Sequence, residues 1–204
     1  MNISLEKVAG KLNRVGYEAF FKALRQAKGT GTPHVELAHW LSHILVRERS
    51  DMRLIAAYFA LDYDRLVKDI AATIDALPKN EVPMPAVSMP VMDMLDRGWH
   101  YATLFFDEKQ IRTGHILVGA LLSKQLSSVF SNASQEFEKI AVDTLMAQYS
   151  IICAGSEEEH LGPMADVDKL VEVDDVTVSR KLIEVRNRIA TMLNEIDLVI
   201  RRSS

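Results

Sequence analysis

Four prolines fall between Leu77 and Pro90, at positions 78, 83, 85 and 90. Proline lacks a backbone N–H and its ring clashes with the preceding turn, so this stretch cannot carry a helix and reads as an extended connector. Helical periodicity dominates on both sides of it, and the two sides follow one plan. That repeat limits the chain to folds in which two similar helical units cover each other's apolar faces.

Before the connector, Ser4 caps a short helix with Leu5, Val8 and Leu12 on one face. A longer helix over residues 15–28 places Tyr17, Phe20, Phe21 and Leu24 three and four apart. The run Gly29-Thr30-Gly31-Thr32-Pro33 stops it. The next helix, 34–46, has Leu37, Trp40, Leu41, Ile44 and Leu45 as its stripe, and Ser50 and Asp62 cap two more. After the connector come a helix over 91–106, a polar loop over 107–112, a helix opened by Thr113 or Gly114, a short turn at 127–130, and a helix from Ser134 to Ile152. Val35 to Leu41 aligns with Gly114 to Ala120, and Phe59 to Leu66 with Phe130 to Phe137. The fold class is therefore all-α, with two pseudo-symmetric bundles in residues 1–154.

Residues 155–167 read as a polar linker and 168–204 as a C-terminal extension. Within the extension, 171–178 alternates like a strand or an extended arm. Residues 179–200 carry a helical stripe of Leu182, Val185, Ile189, Met192, Leu193, Ile196 and Ile200, near enough to heptad spacing to pair with another helix. The tail folds back on the bundles or pairs with a partner.

The charge balance, −4 with a pI near 5.9, gives no electrostatic footprint for nucleic acid. A single cysteine, Cys153, rules out an internal disulfide and fits a reducing compartment. The first twelve residues interleave Glu6, Lys7 and Lys11 with apolar positions, unlike a signal peptide, and no apolar run is long enough for a bilayer. A cytoplasmic protein without membrane contact is expected.

Chemistry-bearing patterns are sparse. His39 and His43 share a helix face, but no glutamate follows His39 in the zincin order and no cysteine ligand accompanies the pair. His115 lacks a nucleophile and an orienting group. Cys153 reads as a small buried hydrophobe. Glu157, Glu158 and Glu159 read as solvated charge, as do Asp174 and Asp175. The chain holds no Gly-x-x-x-x-Gly-Lys-Ser/Thr loop for nucleotide phosphates. No catalytic residue, metal or cofactor is expected. Met89, Met92 and Met94 either fill gaps in the core or line an adaptable surface. The first and sixth long helices carry apolar residues on more than one face, so each needs a second thing to bury against.

The segment from Thr113 to Leu122, Thr-Gly-His-Ile-Leu-Val-Gly-Ala-Leu-Leu, resembles the second-repeat signature of Clp N domains. Pro33 to Leu41 is similar to the ClpV branch of that family, as are Ile111 to His115 and the extra helix before Val15. The resemblance covers residues 1–155 and implies the double Clp N repeat without the AAA+ modules. It makes His115 a structural residue at a helix start. It also implies a non-catalytic recognition domain for an amphipathic helix from the N-terminal region of a type VI secretion sheath subunit (TssC, also called VipB), serving sheath disassembly and recycling. The expected groove lining is Leu5, Val8, Leu12, Phe20, Leu24, Met92 and Leu95. The alternative is a free-standing Clp N-like scaffold or adaptor that joins an AAA+ unfoldase, or a second copy of itself, through its C-terminal helix.

Overall fold

Several helices begin where the sequence supplies a side-chain oxygen to accept from the first free N–H groups. Asn13 Oδ1 accepts from the Gly16 N–H at 3.0 Å, Ser50 Oγ from Arg53 at 3.3 Å, and Asp62 Oδ1 from Arg65 at 3.0 Å. The computed structural model describes residues 5–80 and 82–164, with the side chains of Leu5 and Glu6 outside that description. The Ser4 cap and the extension 168–204, with its arm at 171–178 and its helix over 179–200, lie outside the described residues.

The elements run α1 (Leu5–Ala9), α2 (Arg14–Thr30), β1 (His34–Val35), α3 (Leu37–Ile44), α4 (Asp51–Tyr58) and α5 (Tyr63–Asp75). After the connector come β2 (Ala86–Val87), α6 (Met89–Leu104), α7 (Thr113–Leu121), α8 (Lys124–Ala133), a 3-10 helix (Gln135–Lys139), α9 (Val142–Ala147) and α10 (Tyr149–Ile152). α2 closes on Gly31, whose φ of 70° is left-handed and suits a residue without Cβ.

The double repeat shows most clearly in how the helix entrances pair. Leu12, entering α2, forms a parallel bridge with Ile111, which leads into α7. The Ile111 N–H donates to Lys11 O at 2.6 Å and the Asn13 N–H to Ile111 O at 3.0 Å. In the same way β2, entering α6, lies parallel to β1, which leads into α3. Each half thus lends the entrance of its long helix to the entrance of the other half's buried helix. This exchange is the pseudo-twofold expected from the repeated plan.

The geometry corrects the register of the repeat. Glu36 N–H donates to His39 Nδ1 at 3.1 Å, and Arg112 N–H donates to His115 Nδ1 at 3.3 Å. His39 and His115 therefore occupy the same third position of α3 and α7, so Val35 to Leu41 matches Ile111 to Leu117, three residues earlier than expected. Helix α3 also starts later than expected, because the backbone of His34 and Val35 is engaged in the β1–β2 pair. The helix foreseen from Ser134 to Ile152 is broken, since Ile140 and Ala141 are extended with ψ of 109° and 98°. That extension turns Ile140 into the core at 8 % exposure.

The core runs continuously through both halves. Trp40 is fully buried, packs edge-on to Phe20 at 5.6 Å, and donates its indole N–H to Gly16 O at 3.0 Å. Phe130 and Phe137 form a second edge-on pair at 5.0 Å.

Residues 155–164, expected as the start of a linker, are part of the packed structure. Ser156 and Glu158 are buried, Pro163 bridges Asn13, and the Met164 N–H donates to Leu12 O at 2.9 Å. The reading missed that Ser156 and Glu158 turn inward to hydrogen-bond the bundle, while Glu157, Glu159 and His160 are exposed.

Candidate functional site

The expected groove lining splits in two. Phe20 and Leu24 belong to the α2–α3 core, exposed by 1 % and 2 %. They cannot line an open surface, because Trp40 and its neighbours already cover them. Val8, Leu12 and Leu95 gather where α1 lies on α6, and they too are buried, at 5 %, 0 % and 1 %. Met92 alone among the described side chains of the set is partly open to solvent. The side chain of Leu5 lies outside the described residues.

Exposed apolar side chains lie on the flanks of α6, at Met89, Leu104 and Phe105, and elsewhere at Val46, Tyr58, Val67 and Ile151. The inward stripe of α6 is Val91, Met94, Leu95, Gly98 and Ala102. On one flank Met89, 71 % exposed, and the half-buried Met92 and Trp99 follow the helical period. The Lys11 ammonium lies 5.0 Å from the Trp99 ring centre, closing one end of this seam with a cation over an aromatic face. On the other flank Tyr101, Leu104 and Phe105 border a shallow depression of about 500 Å³, with Leu104 82 % and Phe105 53 % exposed. A separate concavity of about 240 Å³ lies between α3 and α5, with Leu45, Val46, Tyr63, Val67 and Ile74 in its wall.

Sequence reasoning missed a buried polar network at the junction of the halves. Asp51, the first residue of α4, is fully buried and receives both Arg112 Nε and Nη2 at 2.7 Å, a bidentate pair, and the Tyr149 hydroxyl at 2.6 Å. Arg112 Nη1 also donates to Glu108 at 3.1 Å. Glu158, read above as solvated charge, is fully buried and accepts four bonds. Its Oε1 takes the Asp51 N–H at 2.8 Å and the Thr113 hydroxyl at 2.5 Å; its Oε2 takes the Thr113 N–H at 2.7 Å and Asn13 Nδ2 at 2.8 Å. One carboxylate thus serves the first turns of α4 and α7 and the cap residue of α2.

Electrostatics in this network are set by burial against pairing. Burial disfavours the Arg112 charge, but the Asp51 hydrogen bonds and surrounding carboxylates outweigh it and raise its pKa. Burial and Asp51 together lift the Tyr149 hydroxyl well above its usual value, so it remains a donor. Burial and then Asp51 push Glu158 up to about 7, against the pull of its bonds from Thr113 and Asn13. The polar groups of Asp51, Arg112, Thr113, Tyr149 and Glu158 are committed to neighbours, and none of them is a nucleophile facing an open cavity. The arrangement fastens chain segments.

Gly114 is needed for that packing. A Cβ there would stand 2.5 Å from Tyr149 Oη and 3.0 Å from Asp51 Cβ, and both neighbours are held by their mutual bond. Gly114→Ala gains about 1 kcal/mol of helix propensity but is expected to lose about 1–3 kcal/mol net to overpacking. Urea unfolding checks this; a variant as stable as the parent contradicts it.

Of the histidine pair, His39 is fully engaged in hydrogen bonds. His39 Nδ1 accepts from the Glu36 N–H and Nε2 faces the Thr32 hydroxyl at 3.3 Å, leaving no lone pair free. Among the described residues no group of three or more His, Cys, Asp or Glu side chains is placed to hold a metal ion. Among them, too, no helix is long and apolar enough to cross a membrane. Cys153 is buried, and burial followed by Asp51 raises its thiol pKa, which makes it a poor nucleophile.

No protein-family model matches the chain. It is 35 % identical over 159 residues to the AAA+ ATPase ClpV1 of Pseudomonas aeruginosa, covering 78 % of this chain and 18 % of that ATPase. A solved structure from work on the coevolution of the ATPase ClpV, the TssB–TssC sheath and the accessory HsiE protein matches with a TM-score of 0.74 and 34 % identity, over 78 % of this chain and 99 % of the other. A complex of a ClpV N-domain with a VipB peptide matches with a TM-score of 0.63 and 25 % identity, over 78 % and 96 %.

Proposed function

The chain belongs to the family of ClpV N-terminal domains, and on that premise we propose that it is a non-catalytic recognition domain for an amphipathic N-terminal helix of a type VI secretion sheath subunit of the TssC (VipB) kind. Delivery of contracted sheath for disassembly and recycling is the role this recognition would serve. The observation that carries the reading is one flank of α6, the helix on which α1 packs, where the exposed Met89 and the half-buried Met92 and Trp99 follow the helical period while the inward stripe is already buried. A helix laid along this seam would use anchors at i, i+3 or i+4, and i+7, and methionine adapts to their shapes. The ClpV N-domain solved with a VipB peptide supports the class of ligand. On this reading Met92 makes the contact, while Val8, Leu12 and Leu95 are buried and support it from within.

Titration calorimetry with an N-terminal sheath-subunit peptide tests the reading. Saturable binding is expected, and Met92→Asp is expected to weaken it about tenfold or more, at least ~1.4 kcal/mol, with little change in melting temperature because the side chain is partly in water. No saturable binding, or equal affinity in the variant, removes the proposal.

A further inference from the structure

The strap 155–164 and helix α1 are tied to the same two residues. On one side Leu12 and Asn13 end the turn that follows α1, with Lys11 N–H donating to Val8 O at 2.9 Å and Leu12 N–H to Ala9 O at 3.0 Å. On the other, Met164 N–H donates to Leu12 O at 2.9 Å, Pro163 bridges Asn13, and Glu158 Oε2 accepts from Asn13 Nδ2 at 2.8 Å. Glu158 is itself anchored by three further bonds to α4 and α7, so it is a fixed post, not a mobile side chain. By contrast α1 has only five helical residues and its main packing partner is α6. So short a helix has little stability of its own and stands where its tether puts it.

We infer that Glu158 is a positioning residue for α1: through Asn13 and the Leu12–Met164 pairing, the strap sets the wall of the α1–α6 seam, so seam and strap are held by one clasp. The inference rests on the binding role proposed above. It adds that a ligand which tightens the seam also tightens the strap 155–164, since coupling between two sites acts equally in both directions.

Two variants loosen the clasp in different ways. Glu158→Gln keeps the shape, but the amide NH2 cannot accept: at Oε2 it opposes two N–H donors, and at Oε1 it leaves the Asp51 N–H without a partner. Met164→Pro removes the N–H that reaches Leu12 and leaves the buried network intact. Ile74→Ala, in α5, lowers stability without touching the clasp. Hydrogen exchange and peptide affinity are measured on all four full-length proteins, well below their melting temperatures. Both clasp variants are expected to exchange faster over residues 7–13 and to bind peptide about fivefold more weakly or worse, whereas Ile74→Ala changes neither. In the parent, saturating peptide is expected to slow exchange at the Met164 amide, which a merely structural role for the strap would not produce. Unchanged exchange over 7–13 in both clasp variants overturns the inference, as does binding by both at parental affinity. If the parent itself fails to bind peptide, the recognition role falls, and exchange over 7–13 still decides whether Glu158 positions α1.

Discussion

Replacing Asp51 with alanine is expected to lower stability by about 3–5 kcal/mol, the range for removing one partner of a buried ion pair. The change strands the Arg112 guanidinium, whose side chain is 6 % exposed, with Glu108 as its remaining carboxylate. It also leaves the buried Tyr149 hydroxyl without its acceptor. Against a total of about 5–15 kcal/mol for a domain of ordinary stability, such a loss is severe. Asp51→Asn is expected to fall nearly as far, since one face of its amide would present N–H groups to Arg112. The cause can be separated by adding Arg112→Met. The double variant is expected to be more stable than Asp51→Ala alone, because no uncompensated cation is left inside. Urea unfolding followed by circular dichroism reads all three midpoints. A loss under about 1 kcal/mol for Asp51→Ala would mean that water reaches the network and screens it.

The size of that effect also explains why the network was invisible in the sequence while the bundle was not. Helix α5 is legible because Asp62, Leu66, Ile70 and Ile74 announce cap and stripe within thirteen residues. The double plan is legible for the same reason, since it is a succession of local patterns on either side of the prolines. Asp51 and Arg112 are 61 positions apart, and Asn13 and Glu158 are 145 apart. Nothing local distinguishes Glu158 from Glu157 and Glu159, yet only Glu158 is buried, because the strap alone determines which of three glutamates turns inward. The register of the repeat shows an intermediate case. His39 and His115 are both conspicuous, but matching them requires knowing that each accepts from the backbone N–H three residues before it. Phe20 and Leu24 were placed in the groove through excess of signal: a wide apolar face on α2 predicts that something covers it, and the molecule's own α3 does so.

Stability is expected to fall as pH drops from 6.5 towards 4.5, but by less than the buried histidines alone would cause. His39 is held down to about 4 by burial and then by His43, and His115 to about 3 by burial, with Arg112 adding to the effect and Asp51 opposing it. Both are neutral when folded and take up a proton on unfolding in this window, so acid favours the unfolded chain by about 1.4 kcal/mol per pH unit for each. His43 is lowered by burial and by Lys22 and acts in the same sense. Glu158 opposes them. Raised to about 7 by burial and Asp51, it holds a proton in the folded state that the unfolded chain, with a value near 4.5, releases, so its contribution is present at low pH and is lost as pH rises. Glu108, raised chiefly by burial, acts alike. The net slope is therefore shallower than the buried histidines alone would give. His115→Asn can keep an acceptor for the Arg112 N–H and removes one titration, so its dependence is expected to be flatter than the parent's. Glu158→Gln removes the opposing titration, so its dependence is expected to be steeper, although the variant is less stable throughout. Denaturant midpoints at half-unit steps between pH 4.5 and 7.5 decide the matter. Parallel curves for the parent and both variants would mean that neither His115 nor Glu158 changes protonation on unfolding in that window.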